Sequence, residues 1–269
     1  MTSRAHGVSS ASVGWFNAAE ATRETRRHML HILRRADQGD GELIYFAHIG
    51  KTAGTSFRKS ATRAIGARRC AALYSPDHRG ADAELTRMFF AEFRRGAPPS
   101  ENEAIAAKIL ARAAARRVRL FSTHHNPLFK RTAPPERTAT FLREPLARLI
   151  SHYNFSLSRG WTDPSTSFEA FATTGAVRNL QSRSLPLRRY DAIGLIGLTE
   201  RYERSLDAFR HVFGVEVAPS HRNKTANVAN AVTRADIPYD VVRRVRVAHS
   251  RDFELYERAR ADFEKRWGS

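Results

Sequence analysis

Apolar residues cluster in four short runs: Leu43–Phe46, Val118–Ser122, Thr138–Leu142 and Ala192–Leu198. Each is bounded by glycine, proline or charge and is too short for a helix, so each predicts a buried strand. Between them the spacing becomes helical, over Phe57–Ile65, Ala83–Arg94, Ser100–Arg117, Leu146–Ser158 and Thr199–Phe213. Shorter helical segments are predicted at Ser167–Ala172 and Val177–Ser182, and two C-terminal helices run to Trp267. Ser100 with Glu103 reads as a capping box. Strands alternating with helices predict an α/β fold, a parallel sheet flanked by helices on both faces, with binding at the carboxyl ends of the strands. Ahead of the first strand, Trp15–Arg35 predicts a basic helix stopped by Gln38-Gly39-Asp40-Gly41. The chain therefore divides into an N-terminal tail and helix, 1–41, and one domain, 42–269. Cys70–Arg117 carries the weakest pattern, and Gly214–Ala235 reads mostly as loop.

The first strand runs into His48-Ile49-Gly50-Lys51-Thr52-Ala53-Gly54-Thr55-Ser56, where a helix is predicted to open. Unpaired N–H groups at a helix start, two glycines, a lysine and hydroxyls form a cradle for a phosphate-like anion, a P-loop-like arrangement. The nucleotide-kinase pattern needs a further glycine at position 45, which is Tyr45. A second strand–turn–helix follows at Thr140-Phe141-Leu142-Arg143-Glu144-Pro145. There the Arg143 guanidinium can take a phosphate with two donors, and Ser151 can add a hydroxyl. His124-His125-Asn126-Pro127 ends another strand, so its histidines fall at the same sheet edge as Lys51 and suit proton transfer.

These motifs resemble the sulfotransferases that use 3′-phosphoadenosine 5′-phosphosulfate (PAPS), nearest to their carbohydrate branch. Gly50 stands where that family carries proline, and Glu144 where aspartate is commoner. The resemblance implies that Lys51, Thr52, Ala53, Gly54, Thr55 and Ser56 hold the 5′-phosphosulfate. It places the 3′-phosphate on Arg143 and Ser151. Asn223, Lys224 and Thr225 resemble a loop that closes over the adenosine phosphate. His125, two residues before Pro127, fits the family's base position best, with His124 as the alternate, and Lys51 is implied to assist the leaving group. Asn179–Leu185 resembles a segment near cofactor and acceptor, which makes Gln181 and Arg183 substrate-binding candidates. Leu198-Thr199-Glu200-Arg201-Tyr202 resembles the start of a late family helix. Trp161 is a candidate sugar-stacking platform, and no metal is implied.

Composition bounds the partners. The formal charge is +18, which predicts attraction to nucleotides, acidic glycans, anionic membrane surfaces or nucleic acid; a solvated arginine-rich surface explains it equally. The expected partners are the nucleotide cofactor and a carbohydrate or glycolipid acceptor, with peripheral association at an anionic membrane and no specific nucleic acid. A lone cysteine, Cys70, excludes an internal disulfide and reads as a packing residue. The sequence shows no ~20-residue apolar span and no secretory signal, so a cytoplasmic enzyme is expected. Two other classes stay open: an ATP-dependent small-molecule kinase and a non-catalytic polyanion-binding module.

Overall fold

The computed structural model describes residues 42–75, 81–94, 96–220 and 231–268. The predicted Trp15–Arg35 helix with its Gln38–Gly41 stop, and the Asn223–Thr225 loop, lie outside the described residues. Five strands form one sheet: β1 (Ile44–Ala47), β2 (Cys70–Leu73), β3 (Leu120–Thr123), β4 (Thr138–Leu142) and β5 (Leu195–Leu198). All pairings are parallel, in the order β2-β3-β1-β4-β5. Every residue of β1, β3 and β4 is buried, which is why those strands read as continuous apolar runs. β2 carries Cys-Ala-Ala-Leu, with no β-branched residue to signal a strand, and pairs only with β3 at the sheet's edge.

The helices flanking the sheet are α1 (Gly54–Ile65), α2 (Ala83–Glu92), α3 (Pro99–Ala115), α4 (Asn126–Phe129) and α5 (Pro145–Ser158). They continue with α6 (Phe168–Ala172), α7 (Leu180–Ser184), α8 (Tyr202–Phe213), α9 (Tyr239–Ala248) and α10 (Ser250–Trp267). Two local expectations fail. The Ser100–Glu103 capping box does not form: α3 starts at Pro99 with no side-chain cap, and Glu103 instead pairs with Arg131 at 2.9 Å. The 177–182 helix is displaced to Leu180–Ser184 because Asn179 takes a left-handed backbone at φ 50°.

Phe57 ties these layers together. Its ring packs on Phe46 of β1, Phe141 of β4 and Phe209 of α8, with centroids 4.4, 5.1 and 4.9 Å away. A second, smaller core joins α5, α6, α9 and α10 through Leu149, Phe171, Val245 and Phe253. The register sets Ala47 against both Thr123 and Thr140, so the segments leaving β1, β3 and β4 emerge side by side. From β1 the chain proceeds to β2 on one side, and from β3 it crosses to β4 on the other. That reversal opens a crevice at the carboxyl end of β1. Among the described residues no helix is long and apolar enough to cross a membrane.

Candidate active site

α1 begins at Gly54, within the segment where a helix was expected to open, so His48–Ala53 forms an open turn after β1. Lys51 at φ 72° and Ala53 at φ 63° both hold left-handed backbone. For residues with a Cβ this costs about 1–2 kcal/mol each and persists only where the surroundings impose it. Neither Gly50 nor Gly54 has a positive φ. A Cβ at Gly50 would meet nothing within 4 Å, whereas one at Gly54 would stand 2.2 Å from the His48 ring. Gly54 is therefore what lets His48 lie across the start of α1. Thr52, expected to face a ligand, is fully buried and donates to the Ile49 carbonyl at 3.0 Å, bracing the turn from within. Thr55 is half-buried and Ser56 buried. No side chain caps α1 and no acidic residue occupies its first turn, so its positive end is not neutralised locally.

Lys51 Nζ stands 4.0 Å from the centre of the Phe155 ring on α5. Burial, with Arg143 and Arg159 close by, lowers its pKa to about 8, and no carboxylate contributes to that shift. Arg143 reaches back from β4 and donates from Nη1 to the Lys51 carbonyl at 3.3 Å. The two predicted anion-binding turns thus meet. Ser151 lies one turn before Phe155, on the α5 face that carries Lys51. The neighbouring His152 is held neutral: burial, Arg148 and Lys51 lower its pKa to about 4.

The Arg143 turn is gripped by three remote residues on two segments. The Gln181 amide accepts from Arg143 N at 2.9 Å and donates to Arg143 O at 3.0 Å. Thr199 Oγ1 donates to the Leu142 carbonyl at 2.9 Å, and Glu200 Oε1 accepts from Glu144 N at 2.9 Å. Glu144 itself caps α5, accepting from Ala147 N at 2.6 Å. Gln181 was expected to touch substrate, but it is fully buried and both ends of its amide are spent on Arg143. It positions the arginine.

The register that pairs Ala47 with Thr123 puts His48 and His124 together, their ring centroids 4.1 Å apart. His124 Nδ1 lies 2.8 Å from the His48 carbonyl. A carbonyl only accepts, so Nδ1 carries the hydrogen and the basic lone pair sits on Nε2. Asn126 donates to the same carbonyl at 3.0 Å. Tyr74 packs on His124 at 4.6 Å, and its hydroxyl lies 2.7 Å from His48 Nδ1 and 3.2 Å from Ser122 Oγ. His124 is exposed. His125 faces the other way, its ring on Phe89 at 4.8 Å and Phe90 at 5.8 Å, and burial lowers its pKa. A spacing of two before Pro127 thus picks out the histidine that packs on Phe89 and Phe90, whereas the sheet register sets the exposed His124 beside His48.

Trp161 is 70% exposed and meets the edge of Phe155 at 5.4 Å, so one ring touches both Lys51 and Trp161. Arg183 is not at this site; it is exposed on α7, with its guanidinium on the Gly175 and Ala176 carbonyls. Sequence reasoning gave no role to His48, Tyr74, Asn126 or Phe155. Only the His48–Gly54 pair and the four-residue step from Ser151 to Phe155 carried a signal. Burial raises the pKa of the Cys70 thiol, as suits a packing residue. Among the described residues no three metal-ligating side chains converge. No protein-family model and no curated protein matches the chain.

Proposed function

We propose that the protein is a sulfotransferase that moves the sulfuryl group of PAPS onto a carbohydrate hydroxyl. One observation carries the reading: the Arg143 guanidinium lies on the carbonyl of Lys51. It brings two cationic strand–turn–helix units within the span of one nucleotide bearing anionic groups at both its 5′ and 3′ positions. The residues present fit such a ligand. Lys51, Arg143 and Arg159 repel one another with no carboxylate lowering the cost at Lys51, and α1 presents an uncapped positive end. A bound polyanion would relieve both.

Lys51 and the first turn of α1, with Thr55 and Ser56, would hold the 5′ group, and Arg143 with Ser151 the 3′-phosphate. When bound, PAPS supplies a sulfur whose bond to the bridging phosphate oxygen breaks as the acceptor oxygen bonds to it. His124 Nε2 takes the acceptor's proton, its Nδ1 held by the His48 carbonyl. Lys51 offsets the charge that grows on the bridging oxygen, a preorganised electrostatic contribution. Trp161 offers a sugar ring a flat apolar face beside Lys51.

Calorimetric titration with adenosine 3′,5′-bisphosphate tests the reading, with magnesium-ATP as the comparison. Tight metal-independent binding that Arg143→Ala abolishes is expected; a preference for magnesium-ATP sinks the reading in favour of a kinase. With PAPS and an acceptor, His124→Ala should lose about 10²–10⁴ in kcat and His125→Ala should not.

A further inference from the structure

α7 is a hub as well as a clamp. Its N-terminal N–H groups are held by α10: Gln181 N and Ser182 N donate to the fully buried Asp252 carboxylate at 3.1 and 2.8 Å. Asn179 N donates to His249 Nδ1 at 3.3 Å. At its other end Lys130, just past the histidine segment, donates to the Arg183 carbonyl at 2.7 Å. Between this anchored helix and the corner of α9 and α10 lies an open groove of about 1080 Å³. Five arginines line it, Arg178, Arg183, Arg243, Arg244 and Arg251, with Val247 as its exposed apolar patch.

Surface arginines elsewhere are commonly matched by carboxylates, as in Arg112–Glu84, Arg201–Glu264 and Arg258–Asp191. In the groove only Arg244 is, through Glu169 and Asp240. Arg183 and Arg178 are held by backbone carbonyls, which aim a guanidinium without cancelling its charge. Among the described residues Arg243 and Arg251 carry no ion pair and no acidic side chain lines the groove. Fixed, uncompensated guanidinium forks match carboxylates or sulfates repeated along a chain. Non-specific single-stranded nucleic acid sites also use aromatic platforms, and no described residue lining this groove is aromatic.

We infer that this groove is a binding site for an acidic polysaccharide, distinct from the Lys51 crevice and joined to it through α7, whose Gln181 clamps the Arg143 backbone. The inference goes beyond the sulfuryl-transfer reading, and its test needs no cofactor. Binding of a labelled oligogalacturonate to the full chain is measured at fixed salt, with neutral dextran and oligo-dT as comparison probes. The double variant R243A/R251A, at two exposed positions, should weaken oligogalacturonate binding about ten- to hundredfold. It should leave affinity for adenosine 3′,5′-bisphosphate and the melting temperature unchanged. The control R188A/R210A, two exposed arginines elsewhere, should change binding less than about twofold. Equal losses in both double variants would show attraction by bulk charge and overturn the site. Failure of oligogalacturonate to bind would do the same, and tighter, competing binding of oligo-dT would overturn the polysaccharide.

Discussion

The turns that carry Lys51 and Arg143 are built in opposite ways. The turn after β1 holds two residues with left-handed backbone, ends in a helix without a side-chain cap, and spends its lysine on no carboxylate. The turn after β4 has no positive φ, is capped by its own Glu144, and is gripped by Gln181, Thr199 and Glu200 from distant parts of the chain. The first leaves its helix start without a side-chain cap and its lysine charge uncompensated, and its strain is sustained by packing such as His48 over Gly54. The second satisfies its own polar groups and offers one well-aimed guanidinium. Preorganisation is thus reached once by storing strain and once by removing freedom.

The clamped side of this contrast is tested most severely at Gln181. Gln181→Ala strips partners from Arg143 N and O together, and each group left unpaired costs about 1–3 kcal/mol. Some of that is recovered by water at this partly buried turn, so denaturant unfolding should show a loss of about 2–4 kcal/mol. Affinity for adenosine 3′,5′-bisphosphate should fall with it. Lower stability at unchanged affinity would reduce the clamp to architecture.

The strained side is tested by pH. Lys51 loses its proton near pH 8, so bisphosphate affinity should fall as pH rises above about 8, by up to about tenfold per unit. Lys51→Arg should flatten that slope, because a guanidinium does not titrate there. A flat wild-type profile would remove Lys51 from the anion site. Stability moves oppositely. The unfolded lysine, near 10.5, holds its proton where the folded one has lost it, so this residue's unfavourable contribution is complete below pH 8 and fades as pH climbs toward 10.5.

The smallest effect is expected at Ala53. Ala53→Gly should raise stability by about 1 kcal/mol, since glycine accepts φ 63° without penalty. It should also weaken bisphosphate binding slightly by loosening the turn. Destabilisation instead would show that the turn stores no strain, and the contrast between the two turns would collapse.

The sequence by itself determined the α/β sheet, four of its strands, and the two strand–turn–helix units that carry Lys51 and Arg143. A short apolar run buried on both faces, followed by a turn and a helix start, is encoded within a dozen residues. It did not determine β2, whose Cys-Ala-Ala-Leu is a strand only because β3 accepts its backbone. Nor did it determine which histidine faces the crevice, since that follows from Ala47 standing opposite Thr123, partners 76 residues apart in the chain. The role of Gln181 was likewise out of reach, because its partner Arg143 lies in the turn after β4, 38 residues away in the chain. Pattern and propensity are local properties, whereas register, clamping and the convergence of Lys51 with Arg143 are set by pairing between distant segments. Only the tertiary structure decides those.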